Sequence, residues 1–435
     1  MAVTPLRLTL RCYGVGFGDC FLLTFHYGGR RIDRHVLIDF GSTQRPPRAA
    51  ASLMKAIADD IAAIVGRRLH VLVATHRHAD HVNGFATNAQ GTGPGDVIAR
   101  LTPGLVVQPW TEVPDAPGDA KGPSTRLTGA ANDALRLALT HMREVAAVTR
   151  TEARHLTGAL RQEIVFLADE ALANRSAVEN LARMGKAGRA AYVHHGSRLP
   201  SLRTLLPGVD IDVLGPPTIA QKGDVVRQRP RHADEYWHFT RFWRQHAATA
   251  RLATPDAAEP FPNAEWIDDA RAPIETRWFT RRLKRVRGQQ LLRIVRAMDS
   301  ALNNTSVILL VRAGGKKLLF PGDAQWENWE YALERNRESL ADVDVYKVGH
   351  HGSLNATPKT LWETFARRSR DPQAPGRLCT VMSTRSDSKH GHRENNTEVP
   401  RETLVQALQL DSHHRSTQEL EPTGDLVLTL EFDLT

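Results

Sequence analysis

The segment "VLVATHRHADHVNGF" carries four metal-binding side chains, His76, His78, Asp80 and His81, directly after an apolar strand. Side chains two residues apart on an extended chain point the same way, so His76 and His78 can bind one ion. The chain then turns into a helix at "ADHVNG", where Asp80 and His81 can face a second ion. Imidazole and carboxylate together suit a divalent metal. The segment therefore predicts a site for two divalent ions, Zn or Mn.

Strand and helix patterns predict the elements that position this segment. Within residues 6–40, "LRLTLRCY", "CFLLTFHY" and "HVLIDFGS" have the pattern of strands, and so do "LHVLVATH" and "GLVVQPW" further along. Residues 127–190 have helical spacing, and "GVDIDVLGPP" returns to strand. "SVILLVRAGGKKLLFPGD" predicts a hairpin that turns at Gly314 and Gly315. Late strands are predicted in "DVDVYKVGHHG", "RLCTVMST" and "DLVLTLEFDL". The alternation of strands with helical stretches predicts an α/β layered domain.

We interpret residues 1–435 as one such domain with helical insertions at 120–200 and 218–300. The second insertion contains "RWFTRRLKRVRGQQLLRIVR", which has eight Arg or Lys residues, interleaved aromatics and no acid. Such a segment can follow a phosphate backbone while its aromatics stack on bases, or it can be an amphipathic helix that packs on the sheet. The candidates for nucleic-acid binding are Arg281, Arg282, Lys284, Arg285 and Arg287.

The composition indicates a basic protein that does not span a membrane. The formal charge is +9 and the pI about 9.7, which favours phosphate-rich partners such as nucleic acid or a nucleotide. However, only ten of the 57 basic residues are Lys, and heavy Arg usage can also reflect a GC-rich genome. No signal peptide and no run of 18 apolar residues is visible. The widely spaced Cys12, Cys20 and Cys379 predict buried thiols and a cytoplasmic location rather than a disulfide framework.

The HxHxDH spacing of the first segment resembles the metallo-β-lactamase superfamily. That family has an αβ/βα sandwich with a dinuclear metal site at one edge of two facing sheets. The resemblance implies that Asp323, in "KKLLFPGD", is a bridging carboxylate, and that "KVGHHGS" supplies the last ligand. His350 is preferred over His351 because it is nearer the strand end. Asp39, in "IDFG", is then expected to hold the ligand loop through hydrogen bonds.

A further similarity is to the subgroup that contains the hydrolase domain of ComEC-type competence proteins. It rests on "GFGDCFLLTF", "LNNTSVILLV", "LLFPGD" and "KVGHHGS". Most dinuclear members of the superfamily place a further histidine before the bridging aspartate, whereas this subgroup has Asn, Thr and Ser there. Asn304 is therefore expected to face the site as a hydrogen-bond donor. Alternatively, His194 or His195, in the first copy of "HHGS", replaces the missing histidine. The long insertions and missing membrane helices mean that a DNA-uptake role does not carry over.

The resemblance implies a hydrolase in which Asp80 orients a hydroxide held between two metals. Lys347 and His390, with His392 as an alternative, are candidates for contacting an anionic group or protonating a leaving group. The fold alone does not choose the substrate. A phosphodiesterase or nuclease is the main hypothesis, and hydrolysis of a small ester, lactone or thioester is the second. The third is an interaction or effector subunit of a multi-protein system such as phage defence, with a partner docked on residues 120–300.

Overall fold

The computed structural model describes the chain with gaps. The described residues are 3–29, 31–113, 149–156, 158, 160–161, 164–165, 175–186, 189–218, 220–222, 302–353, 357–386 and 398–435. The chain divides into two units, the first made of residues 1–140, 173–226 and 302–435 and the second of 141–172 and 227–301. Most of the second unit, and most of both expected insertions, lies outside the described residues. The insertions therefore stay a prediction.

The elements below all belong to the first unit. The strands are β1 (Arg7–Tyr13), β2 (Phe21–His26), β3 (Arg34–Ile38), β4 (Val71–Val73), β5 (Leu105–Pro109), β6 (Ala190–Val193), β7 (Val209–Gly215), β8 (Ile308–Ala313), β9 (Lys316–Phe320), β10 (Val345–Lys347), β11 (Cys379–Met382), β12 (His413–Ser416) and β13 (Val427–Asp433). The α-helices are α1 (Leu53–Val65), α2 (Ala79–Val82), α3 (Pro94–Arg100), α4 (Arg175–Met184), α5 (Leu202–Leu205), α6 (Trp326–Ala341), α7 (Lys359–Thr364) and α8 (Glu402–Asp411). Short 3₁₀ turns cover Asn83–Phe85, Trp110–Glu112, Gly349–Gly352 and Thr417–Leu420.

The strands form two mixed sheets. The seven-stranded sheet has the order β13-β1-β2-β3-β4-β5-β6, and the six-stranded sheet has the order β12-β11-β10-β9-β8-β7. In the first sheet β3, β4, β5 and β6 are parallel, and in the second β9, β10, β11 and β12 are parallel. Each sheet therefore carries a block of parallel strands whose carboxyl ends share one edge, the usual place for a site in an α/β protein.

The two sheets face each other across an apolar core. Alternate residues of the first sheet, such as Leu8 and Leu10, and of the second, such as Leu309 and Val311, are buried together in one cluster. This follows from the two-residue period of a strand, which sends every second side chain to the same face. The outer face of the seven-stranded sheet packs on α1, α3 and α4, and that of the six-stranded sheet packs on α6, α7 and α8. The layers of this unit are therefore helix, sheet, sheet and helix.

The structure confirms the α/β class and the strand-rich ends of the chain. The predicted hairpin is β8 and β9, and Gly314 and Gly315 in its turn have φ angles of 49° and 74°. Two positive φ angles match the twist of the flanking strands, and glycine adopts them without strain. The strands β6 and β12 were missed. Each has only four residues, and each adds to the edge of a sheet formed by other segments.

Candidate metal centre

The polar segments that follow four parallel strands meet at one edge of the facing sheets. Asp39 follows β3 and "THRHADH" follows β4, while Asp323 follows β9 and the second "HHGS" follows β10. The backbone N–H of Val307, the residue before β8, donates to the carbonyl of Thr75 over 2.9 Å and ties the two sheets together here. Residues distant in sequence are thereby brought into one buried cluster.

Within the described residues, the cluster contains three overlapping groups of side chains that could hold a metal ion. In each group the donor atoms lie within 4.8 Å of one another and every residue is buried. The first group is His76, His78 and Asp80, the second is Asp80, His81, Asp323 and His351, and the third is Asp19, Asp39 and His81. Asp80 is common to the first two. The strand-to-helix turn at α2 produces this sharing, because it places Asp80 between the two histidines that precede the helix and the one within it.

His81 is held with one ring nitrogen aimed into the cluster. Its Nδ1 lies 2.8 Å from Asp39 Oδ2, which can only accept, so Nδ1 carries the proton. Asp39 is itself fixed by the backbone N–H and the hydroxyl of Thr75, each over 2.7 Å. In the neutral ring the lone pair of His81 is therefore on Nε2, which faces Asp323 Oδ2 at 3.1 Å. A carboxylate that fixes the tautomer of a histidine is a common companion of metal ligation.

His351 is held in the same way. Its Nδ1 donates to the carbonyl of Ser383 over 2.9 Å, which leaves Nε2 facing Asp80 Oδ2 at 3.0 Å. His350 and His351 both have left-handed backbone angles, with φ of 42° and 52°. This turn buries the ring of His351, whereas the side chain of His350 stays 24% exposed. The backbone N–H of His350 donates to Asp323 Oδ1 over 3.0 Å, but its ring belongs to none of the three groups.

The unsatisfied atoms of the cluster fit a bound cation. Asp80 Oδ1, His81 Nε2 and Asp323 Oδ2 are buried and make no hydrogen bond of good geometry within the described part of the chain. His81 Nε2 lies 4.0 Å from Asp80 Oδ1 and 3.1 Å from Asp323 Oδ2, so the three atoms converge. Buried polar atoms without partners are costly and call for an explanation. Nitrogen and carboxylate oxygen are suitable ligands for Zn or Mn.

The charges of the cluster also favour a cation. Four buried carboxylates face one buried ammonium, and these groups are Asp19, Asp39, Asp80, Asp323 and Lys347. Burial alone lowers the pKa of His81, but Asp323 and Asp80 raise it well above its usual value. Without a metal, a second proton on His81, at Nε2, thus offsets part of the negative charge. A dication would displace that proton, which is the usual coupling of metal binding to proton release.

Asp19, in "GFGDC", also belongs to the cluster, although the sequence motifs did not identify it as a site residue. Asp19 is 1% exposed, and its carboxylate forms an ion pair with Lys347. Its oxygens also lie 3.7 Å from His81 Nδ1 and 3.6 Å from His351 Nδ1. The sequence shows an acid in the turn "GVGFGD" between two predicted strands. Only the tertiary structure shows that this acid is buried in the cluster.

The remaining candidates from the sequence lie in different places. Asn304 is buried, and its amide donates to Glu327 Oε2 over 2.7 Å. Its neighbour Ser306 touches the cluster directly, because its hydroxyl accepts from the backbone N–H of Asp323 over 3.2 Å. The first "HHGS" follows β6, where His195 contacts Asn336 on α6, and neither histidine of that pair belongs to a metal-binding group.

Several candidates lie outside the described residues. They are His390, His392 and the basic residues Arg281, Arg282, Lys284, Arg285 and Arg287. In the described part of the chain, no helix combines the length and the apolar character that crossing a bilayer requires. The three cysteines are buried and free, as the sequence predicted.

The mixed α/β architecture and the buried histidine–aspartate cluster are compatible with a metallo-hydrolase. Comparison with protein-family models gave no match to this chain, and a search of curated proteins also found none.

Proposed function

We propose that this protein is a metal-dependent hydrolase of the metallo-β-lactamase type, with two divalent ions at the edge of its facing sheets. The observation that carries the proposal is the sharing of Asp80 between two buried groups of potential ligands. His76 and His78 would complete the first ion site. His81, Asp323 and His351 would complete the second. The two face-to-face sheets with helices on both outer faces support the same family resemblance.

The chain's own residues prepare this chemistry before any substrate arrives. When bound, the ions supply Lewis acidity and a nucleophile generated from water near neutral pH. Asp39 and the carbonyl of Ser383 hold the Nε2 lone pairs of His81 and His351 toward the cluster. Asp80, common to both of these groups, would orient the nucleophile. Because these side chains are already fixed, little reorganisation is needed during the reaction.

A phosphodiester is the substrate class that the charges favour best. The four buried carboxylates and Lys347 are negative together, and two dications would make the sum positive. A positive, buried centre attracts an anionic substrate more strongly than a neutral ester. The overall charge of +9 and the basic segment between Arg277 and Arg296 support a nucleic-acid substrate in particular.

Metal analysis of the purified protein, paired with hydrolysis of bis-p-nitrophenyl phosphate in Zn and in Mn, tests the proposal. We expect about two metal ions per chain and turnover that His78→Ala and Asp323→Ala abolish. His195→Ala, which changes a histidine outside both groups, is the matched control and should keep metal and activity. A protein that binds no divalent metal would contradict the proposed metal centre. A protein that cleaves p-nitrophenyl esters but no phosphodiester would contradict the proposed substrate class.

A salt titration then separates nucleic acid from a small phosphodiester. Cleavage of single- or double-stranded DNA or RNA should weaken steeply with salt, since phosphate contacts release counterions. Cleavage of bis-p-nitrophenyl phosphate should change little over the same range. Equal salt dependence for both substrates would contradict a role for the basic segment in binding the substrate.

A further inference from the structure

A buried ion pair lies directly behind the candidate metal centre and connects the two sheets. Lys347, the last residue of β10, is 3% exposed, and its ammonium contacts the carboxylate of Asp19 in the turn between β1 and β2. The same ammonium donates to the carbonyl of Gly322 over 3.1 Å and lies 3.6 Å from Asp323 Oδ1. Its three N–H groups thus face three acceptors of the protein.

These contacts give the two oxygens of Asp323 different surroundings. Oδ1 accepts from the backbone N–H of His350 over 3.0 Å and has Lys347 at 3.6 Å. Oδ2 has no hydrogen bond of good geometry within the described residues and faces His81 Nε2 at 3.1 Å. Lys347 and the N–H of His350 therefore hold the carboxylate by one oxygen and leave the other directed into the cluster.

Asp19 extends the same support to the histidines. Its oxygens lie 3.7 Å from Nδ1 of His81 and 3.6 Å from Nδ1 of His351. Its backbone N–H also donates to the carbonyl of Asp80 over 3.0 Å. The ion pair is thus in contact with, or adjacent to, four of the proposed metal-binding residues, although neither Asp19 nor Lys347 is exposed.

We propose that Asp19 and Lys347 are positioning residues that set the geometry of the metal centre, with Lys347 selecting Oδ2 of Asp323 as the ligand oxygen. This role differs from the substrate contact predicted for Lys347 from the sequence. An ammonium that is buried and surrounded by protein acceptors is not available to an incoming substrate. The inference rests on the metal centre of the proposed function.

The test compares metal affinity with thermal stability in three variants, by titration of the metal-free protein with Zn or Mn against a competing chelator. Lys347→Met should lower both, because it leaves Asp19 as an unpaired buried charge. The double variant Lys347→Met/Asp19→Asn removes that charge and should recover most of the melting temperature. Its metal affinity should stay about 10- to 100-fold below that of the wild type, the usual effect of losing a partner that orients a ligand.

The third variant, Asp19→Asn, keeps Lys347 beside Asp323 and should lose less affinity than Lys347→Met. If the Lys347 variants fail to fold, the Asp19→Asn variant still provides a test. A loss of metal affinity greater than about 100-fold in Asp19→Asn would contradict the larger role assigned to Lys347. If the double variant binds metal with wild-type affinity, Asp19 and Lys347 only neutralise each other's charge and do not position the ligands. That result would overturn this inference and leave the proposed metal centre intact. A wild-type protein that binds no metal would refute the proposed function and this inference together.

Discussion

Replacing Asp39 by Asn should weaken metal binding while leaving the fold intact. Asp39 has a φ of 57°, a left-handed angle that asparagine tolerates and alanine does not tolerate well. Asparagine also keeps the carbonyl oxygen that accepts the N–H of Thr75, over 2.7 Å in the wild type. The second oxygen, however, becomes an NH₂ group 2.8 Å from the protonated Nδ1 of His81. Two donors then face each other.

In the neutral ring that a metal requires, the conflict is relieved if His81 moves its proton to Nε2 and accepts at Nδ1. The proton then points at Asp323 Oδ2, 3.1 Å away, and blocks the lone pair that a metal requires. Losing a partner that fixes a ligand's tautomer typically costs about 10- to 100-fold in metal affinity, or about 1.4–2.8 kcal/mol. Replacing one charge-assisted hydrogen bond by a neutral one should lower the stability of the metal-free protein by only about 1 kcal/mol.

Competition with a chromogenic chelator measures the affinity, and urea unfolding of the metal-free protein measures the stability. Asp60→Asn is the matched control, since Asp60 accepts a 2.8 Å hydrogen bond from Tyr13 and belongs to none of the metal-binding groups. It should leave metal affinity unchanged. A folded Asp39→Asn protein with wild-type affinity would refute the reasoning that the Asp39 carboxylate sets the tautomer of His81.

Three further predictions concern other parts of the molecule. Burial lowers the pKa of His35 to about 4 and that of His70 to about 3, so between pH 6.5 and 5 the unfolded chain binds protons that the folded chain does not. Each histidine should then cost the protein about 1.6 kcal/mol of stability over that interval, and a variant with both changed to Gln should lose less than the wild type in urea titrations at the two pH values. Gly322→Ala should lower the melting temperature, because the φ of Gly322 is +55° and an added methyl group would lie 2.8 Å from the side chain of Thr75. His351→Ala should lose bound metal by elemental analysis, whereas His195→Ala should retain it.

Each of these has an outcome that would contradict it. Parallel pH curves for the wild type and the Gln variant would show that the two buried histidines do not drive acid destabilisation. An unchanged melting temperature in Gly322→Ala would mean that the turn before Asp323 relaxes without cost. Loss of metal in His195→Ala would place the first "HHGS" at the centre after all.

Local spacing was enough to predict the first part of the candidate site. His76, His78, Asp80 and His81 lie within one strand-to-helix turn, so their proximity follows from backbone geometry alone. The hairpin at Gly314 and the strands of both sheets other than β6 and β12 were visible for the same reason, since their patterns extend over a few consecutive residues.

The family resemblance, rather than local spacing, supplied Asp39, Asp323 and the second "HHGS", and it did not distinguish His350 from His351. The nearness of His350 to the strand end favoured it, but two consecutive left-handed residues turn His351 inward instead. Backbone angles of this kind are set by contacts with other segments, here the carbonyl of Ser383 and the N–H bond to Asp323.

By itself, then, the sequence determined the α/β class, the turn after β4 that carries candidate metal ligands, and the basic character of the chain. Only the tertiary structure decided which histidine enters the cluster, that Asp19 belongs to it, and that Lys347 is enclosed behind it. The physical reason is that buried charges are stable only where partners surround them. Those partners come from loops more than 300 residues apart, which only the packing of the two sheets brings together.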